Sequence, residues 1–593
     1  MDPSGRKPRP NLLLLVVDAL RPDRLGCYGY HRATSPSLDR LAAEGIVFED
    51  ACAQASWTLP AMASLLTSSY PMVPGALADT GEPLITTDSR RYSLLPPVSM
   101  SPSLQAELRK LGYTTLACVG GGFLSPSFGL SQGFDWYWSP PAKGSPPLAD
   151  QVRVVTERLS AQPASPFFLL LHTYEVHDYL HGDAPCLHHF DRGRAGRLSD
   201  PARLAETVLA RDAQRLSPEE LQYINDIYDA EVLFADQQLG QFLDWLLAQP
   251  WGRNTIIVVT SDHGEALGEH GLLHHGHRPY REVVQVPLLL RCPDGLPRGR
   301  RVPQPVSLVD LMPTLLELAG AAPPPGLAGS SLLPLIRGEA SGPPRPLFAE
   351  SSSPVFLARE GRWWYYTLLP RHQENLFDLE SDPQQTTDVA AAEPNRLLHM
   401  RRALASLAMY GSRGYRLVVA GKRPAALALQ LHCDQRLSYL LSPTLLAEGA
   451  VALSPAPPQR RWGRRVRAGE GQLVTIRVPA GRDSHVILFE AASPAATVLV
   501  SAHTGRRRVP AGRFHLGAGQ VAPQRLPIRL TGLPPAPSLL ADAPPAPTGP
   551  DDWGVWLWLP TSLAAPPPPA ERAPTPDDRA GLEDQLRALG YLD

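Results

Sequence analysis

Two short stretches carry the side chains best suited to chemistry. In VVDAL, Asp18 ends an apolar run, and in TSDHGEALGEHG, Asp262 and His263 stand side by side after another. A carboxylate at the end of a buried strand is well placed to hold a hard or borderline cation. An adjacent carboxylate and imidazole, followed by Gly, can turn to one centre, and that pair suits zinc or manganese better than magnesium. A lone Asp after a strand also reads as a helix cap or a loop ion pair; the Asp262 and His263 pair shifts the balance toward ligation. His270, His274, His275 and His277 follow in GEHGLLHHGHRPY, and LLLHTYEVHDYLHG adds His172, Glu175, His177, Asp178 and His181 behind a third apolar run. Such histidine density points to ligation or proton transfer, the plainer alternative being a solvated loop. Asp, Glu and His at three strand ends make up a mononuclear or dinuclear hydrolytic site.

A fourth stretch, QASWTLPAMASLLTSSYP, supplies a hydroxyl. Thr58 lies two positions before a proline and opens a small, apolar, helix-like run. It reads as a helix cap, a role worth about 1 kcal/mol, or as a nucleophile. The two readings coexist, because backbone N–H groups and the dipole at a helix N-terminus favour an anion.

Short aliphatic strands must position these residues: LLLLVV (12–17), TTLACV (114–119), FFLLLH (167–172), TIIVVT (255–260) and VPLLL (286–290). Helical patterns lie between them, the clearest in LQYINDIYDAEVLFADQQLGQFLDWLLAQ. This alternation predicts an α/β fold, a mostly parallel sheet sandwiched by helices, with ligands beyond the carboxyl ends of the strands. After about residue 415, RLVVAGKRPAALALQL, GQLVTIRVPA and SHVILFEAA read as strands of a β-rich accessory domain. The expected division is a catalytic domain over 8–410, the β-rich domain over 415–533, and proline-rich linkers with a short closing helix over 534–593.

Composition removes several classes of function. The 593 residues are 43% hydrophobic and 19% charged with a formal net charge of -2. These are globular values without the positive field that nucleic acid or an anionic membrane would attract. The six cysteines are scattered without a C-x-x-C pair, which suggests a reducing compartment. The N-terminal apolar run is six residues long and reads as a strand rather than a leader, and none approaches the ~18 residues of a membrane span. A cytoplasmic protein without a membrane span is the expectation.

The ordered blocks VVDALRPDRLGCYGYHRATSPSLDRLAAEGIVFEDACAQASWTLPAMASLLTSSYP, GFDWY, YDAEVLFAD, SDHGEALGEHG, HGHRPYREVVQVPLLL, SLVDLMPTLLELAG and ENLFDLESDPQQTTDVA resemble the sulfatase family of the alkaline phosphatase superfamily. The likeness runs from about residue 8 to 410. It implies an alkaline-phosphatase-like fold, hydrolysis of a sulfate or phosphate ester of a small molecule, glycan or lipid head group, and a divalent metal: zinc, manganese or calcium, one ion or two. Carried over by position, Asp18, Asp262 and His263 match metal ligands, His177 a histidine that contacts the substrate anion, and His277 a catalytic Lys or His. Glu175 takes an Asp position; with His177 and His277 it is the candidate holder of a second ion.

The chain departs from the family at the nucleophile. The resemblance places Thr58, Pro60 and Met62 where sulfatases carry C-x-P-x-R or S-x-P-x-R, the source of formylglycine. Oxidation of a threonine gives a ketone and not that aldehyde, so no formylglycine is expected. Thr58 is then expected to act as a metal-activated nucleophile, itself a metal ligand, with phosphate favoured over sulfate and His177 or His277 meeting the leaving oxygen. The alternatives are a catalytically silent protein that binds a partner, and a phosphotransferase.

Overall fold

The computed structural model describes residues 8–70, most of 102–411 and, beyond 411, a set of strands. The expected aliphatic runs form strands: β1 (Asn11–Val17), β2 (Ile46–Cys52), β3 (Thr114–Cys118), β4 (Trp136–Trp138), β5 (Phe167–Thr173) and β6 (Thr255–Thr260). A short hairpin of β7 (Ala266–Leu267) and β8 (Leu273–His274) follows, then β9 (Gln285–Arg291), β10 (Arg300–Val302) and β11 (Val306–Ser307). The main sheet runs β10-β2-β9-β6-β1-β5-β3-β4, with β11 also beside β2. β9 is antiparallel to both neighbours, and the other pairings are parallel.

All residues of β1, β5 and β6 are buried, as the unbroken apolar runs imply for strands covered on both faces. Their side chains alternate between two cores. Leu12, Leu14, Val16, Phe168 and Val258 pack on one face with Leu59, Met62 and Leu65 of the helix Thr58–Thr67. Leu13, Leu15, Leu169 and Val259 pack on the other with Ile224, Ile227 and Phe242 of the helix Pro218–Ala248. That long helix starts at Ser217 in a capping box with Glu220.

A second, antiparallel sheet orders β12 (Leu347–Glu350), β13 (Val355–Glu360), β14 (Trp363–Leu368) and β15 (Gln373–Asp378). It is fastened to the strip that leads into Thr58. The Ser56 N–H donates to the Glu350 carbonyl (3.1 Å), the Glu350 N–H donates to Gln54 (2.9 Å), and the Arg359 guanidinium pairs with Asp50.

Beyond 411 the strands form two antiparallel sheets, the β-rich region expected. One orders Leu437–Leu441, His485–Ala491, Tyr415–Gly421 and Trp553–Trp558. The last of these lies in the stretch read as linker: WGVWLW is an aromatic, pairable segment between prolines, and it pairs with Tyr415–Gly421. The closing helix expected over 577–593 falls outside the described residues. Among the described residues no helix is long and apolar enough to cross a membrane.

Candidate active site

The sheet brings the ends of β1, β5 and β6 together, and four acidic or imidazole side chains meet there. Beyond β1, the Asp18 N–H donates to the Thr173 carbonyl (2.9 Å). The chain then turns sharply, with Ala19 at φ 61°, a left-handed conformation that costs a residue with a Cβ about 1–2 kcal/mol. Tyr228 holds the turn: its hydroxyl donates to the Ala19 carbonyl (2.6 Å) and accepts from the Arg21 N–H (3.0 Å). Ser261 ties the neighbouring strand end, accepting from the Leu20 N–H (3.0 Å) and donating to the His263 carbonyl (2.6 Å).

Asp18, His172, Asp262 and His263 are fully buried. His263 Nε2 lies 3.3 Å from Asp18 Oδ1 and 3.7 Å from Asp262 Oδ2, while its Nδ1 contacts the Gly264 carbonyl (2.9 Å). His172 Nε2 lies 3.4 Å from Asp18 Oδ2 and 4.0 Å from Asp262 Oδ2. Burial raises the Asp18 pKa, but His263 and then His172 and His177 outweigh it and hold the carboxyl below its ordinary range. Burial lowers the His172 pKa, and the two aspartates override it to bring the ring up to about 9.

Thr58 opens its helix but does not cap it; the cap position is Trp57, without a side-chain cap bond. The Thr58 hydroxyl is turned to the cluster: Oγ1 donates to Asp18 Oδ2 (3.0 Å) and lies 3.4 Å from His263 Nε2. Asp18, Thr58, Asp262 and His263 therefore meet, joined by His172, one of the histidines behind the third apolar run that had no role assigned to it.

The donor set fits a divalent cation. Both Asp262 oxygens and Asp18 Oδ1 are buried and accept no hydrogen bond, a costly state for carboxylates unless a cation faces them. Asp18, His172 and Asp262 each offer a ligand atom, and the three atoms lie within 4.8 Å of one another.

A second group stands beside the first. His177, His274 and His275 are buried and also converge to within 4.8 Å, and the His275 ring lies 4.3 Å from that of His263 between centroids. Glu265 backs this group: its Oε2 is 2.7 Å from His275 Nδ1, and Oε1 accepts from the Tyr179 hydroxyl (2.7 Å). Burial pushes Glu265 up to about 7 and keeps His274 and His275 well below their ordinary value. Burial opposes protonation of His177, but Asp178 and Asp18 raise it to about 9.

The other expected residues lie differently. Glu175 turns its carboxylate to the Leu148 N–H (2.7 Å), at the start of the helix Leu148–Ala161. His277 directs Nε2 to the His274 carbonyl (2.8 Å), and burial lowers it to about 4, so the ring is neutral. His270 stacks on Tyr280 at 3.7 Å between centroids, and His181 contacts the Asp178 carbonyl at an exposed position.

A family model described as Sulfatase matches residues 10–321. The chain belongs to the sulfatase family. It is 26% identical over 362 residues to a sulfatase of Formosa agariphila, covering 53% of this chain and 69% of that one. It is 24% identical over 436 residues to a Delta 4,5-hexuronate-2-O-sulfatase of Bacteroides thetaiotaomicron, covering 67% and 88%. Among solved structures, the phosphonate monoester hydrolase of Agrobacterium radiobacter superposes with a TM-score of 0.53 at 22% identity, covering 67% and 95%. That likeness fixes the fold, an alkaline-phosphatase-like sheet. As a sulfatase-family member the chain is an ester-hydrolysing enzyme, and enzymes of this family use metal ions.

This sulfatase-family site depends on close backbone packing at Gly264. The Gly264 N–H donates to the Val283 carbonyl (2.7 Å), and a Cβ there would meet the Glu282 carbonyl oxygen at 2.1 Å. Gly264→Ala is expected to destabilise the protein by about 1–3 kcal/mol and, by displacing His263, to weaken cation binding. Thermal unfolding with and without added zinc or manganese measures both effects; an unchanged melting point and cation response would contradict this role for Gly264.

Proposed function

We propose that the chain hydrolyses phosphate mono- or diesters of a small molecule, glycan or lipid head group in preference to sulfate esters. Its catalytic unit is residues 8–410 and its covalent nucleophile is Thr58. The observation that carries this reading is the Thr58 hydroxyl, buried at a helix N-terminus and hydrogen-bonded to Asp18 Oδ2 (3.0 Å). Met62, at the position of the family's arginine, is buried in the apolar core and brings no charge.

In the first step Thr58 Oγ1 attacks phosphorus, its proton leaving through Asp18, and the bond from phosphorus to the ester oxygen breaks. That oxygen departs toward the imidazoles of His177, His274 and His275, where its charge is met. In the second step water attacks phosphorus, the bond to Thr58 Oγ1 breaks, Thr58 regains a proton and phosphate leaves. A divalent cation held by Asp18, Asp262, His263, His172 and Thr58 would supply Lewis-acid chemistry, polarising a phosphoryl oxygen and lowering the pKa of a hydroxyl. Sulfate suits the cycle less well, because without an aldehyde a threonyl sulfate must be cleaved by attack at sulfur.

The test compares kcat/KM for p-nitrophenyl phosphate, bis-p-nitrophenyl phosphate and p-nitrophenyl sulfate with zinc, manganese or calcium supplied. A phosphate ester turned over at least about 10²-fold better than the sulfate, ~2.7 kcal/mol in transition-state binding, is expected. Faster sulfate turnover would overturn the substrate preference, and no turnover of any ester would favour a silent, partner-binding protein.

A further inference from the structure

Taking Thr58 as the nucleophile proposed above, we infer that Tyr174 is a further catalytic residue: its phenol donates a hydrogen bond to Thr58 Oγ1 as that oxygen is expelled from phosphorus in the second step. Tyr174 is the first residue after β5 and follows Thr173, whose carbonyl accepts the Asp18 N–H. It is fully buried, and its hydroxyl lies within hydrogen-bonding reach of the Thr58 side chain.

Three contacts aim the ring. Its centroid lies 4.9 Å from that of His172 and 5.6 Å from that of His177, edge-on to both. On the side of Gly120 the fit is so close that a Cβ there would meet Tyr174 Cδ2 at 2.4 Å. A ring gripped in this way delivers its hydroxyl to one place, which is the condition for a preorganised donor.

The hydrogen bonds around the phenol set the direction of its contact with Thr58. Thr58 Oγ1 directs its proton to Asp18 Oδ2 (3.0 Å), so it meets Tyr174 as an acceptor. The other acceptor, the Gly121 carbonyl, is 3.3 Å from the phenol oxygen, longer than the ~2.7–2.8 Å usual for an O–H donor. The phenol proton is weakly held in the resting site and is free to follow charge that develops on Oγ1.

That charge appears when the bond from phosphorus to Oγ1 breaks. Water adds to phosphorus, and the bonding pair stays on Oγ1. Of the two water protons one remains on phosphate and the other restores the Thr58 hydroxyl, so Tyr174 donates a hydrogen bond and keeps its own proton. In the first step the departing charge sits instead on the ester oxygen, toward His177, His274 and His275. A single donor to a developing oxyanion is worth about 10²–10³-fold in rate, and here that gain falls on the second step.

Tyr174→Phe keeps the ring and removes the hydroxyl. Wild type and variant, with zinc or manganese supplied and their fold checked by circular dichroism, are mixed with excess p-nitrophenyl phosphate. Stopped flow follows p-nitrophenol, and acid quench follows the phosphoryl label on the peptide containing Thr58. The variant is expected to release p-nitrophenol in a burst of about one equivalent per chain. The burst rate stays within about 10-fold of wild type, and later turnover is about 10²-fold slower with Thr58 nearly fully labelled. Label decay at the wild-type rate, or equal slowing of burst and decay, would overturn the role of Tyr174 and leave Thr58 in place. A wild type that turns over with no label on Thr58 would overturn the nucleophile itself.

Discussion

Thr58→Ala lowers kcat for aryl phosphate hydrolysis by at least about 10³-fold, ~4 kcal/mol, while the protein stays folded. The expected stability cost is small, because alanine fits the buried position and the change removes one hydrogen bond to Asp18, worth about 1 kcal/mol. The catalytic cost is large because the neighbouring hydroxyls are placed or held otherwise: Ser56 is hydrogen-bonded to Ser351 (2.9 Å) on the side of the small sheet, and burial keeps the Tyr174 phenol beside Thr58 protonated. Thr58→Ser restores the nucleophilic atom and is expected to recover activity to within about 10²-fold of wild type. Steady-state kinetics with circular dichroism on all three proteins checks this. A Thr58→Ala protein with near wild-type kcat would remove Thr58 from the mechanism.

Removing the cation has an effect of similar size. Chelation is expected to take hydrolysis to the background rate and to lower the melting temperature by several degrees, since a ligand at 100 times its Kd stabilises the fold by ~2.7 kcal/mol. The sign for Asp262→Asn differs between the two states. With cation present the variant is less stable and at least about 10³-fold less active than wild type, because it lacks one carboxylate ligand. In the stripped state it unfolds at or above the temperature of stripped wild type, because Asp262 is then a buried carboxylate whose two oxygens accept no hydrogen bond. Calorimetry of both proteins with and without zinc measures the crossing. If stripped Asp262→Asn melts well below stripped wild type, Asp262 is structural and not a ligand.

The core sheet was legible because strands covered on both faces need unbroken apolar runs, and β1, β5 and β6 supply them. Asp18, Asp262 and His263 were legible for the same reason: each is a polar residue placed just where such a run ends. His172 stood among the candidate histidines but had no role assigned to it. It is the sixth residue of β5, pairs in register with Val16, and reads from the sequence as strand, yet its ring reaches Asp18 and Asp262. In the turn after β5, spacing alone could not decide which of Glu175 and His177 faces the site, since neighbouring turn residues point in unrelated directions. Glu175 turns to the Leu148 N–H, and His177 joins His274 and His275. The part of Glu265 depended on the two-residue hairpin ladder of β7 and β8, too short to leave a periodic pattern. Trp553–Trp558 was masked by the prolines around it, although its aromatic composition suits a strand.

If Thr58 is the nucleophile it becomes covalently bound to the transferred group, and acid quench of a single turnover captures that bond. Enzyme in excess over p-nitrophenyl phosphate is quenched in acid, digested and mapped by mass spectrometry. The peptide containing Thr58 is expected to carry the mass of one phosphoryl group early in the turnover, the label decaying as phosphate appears and missing from Thr58→Ala. p-Nitrophenol released in full with no label on that peptide at any time, or with the label on another residue, would contradict it.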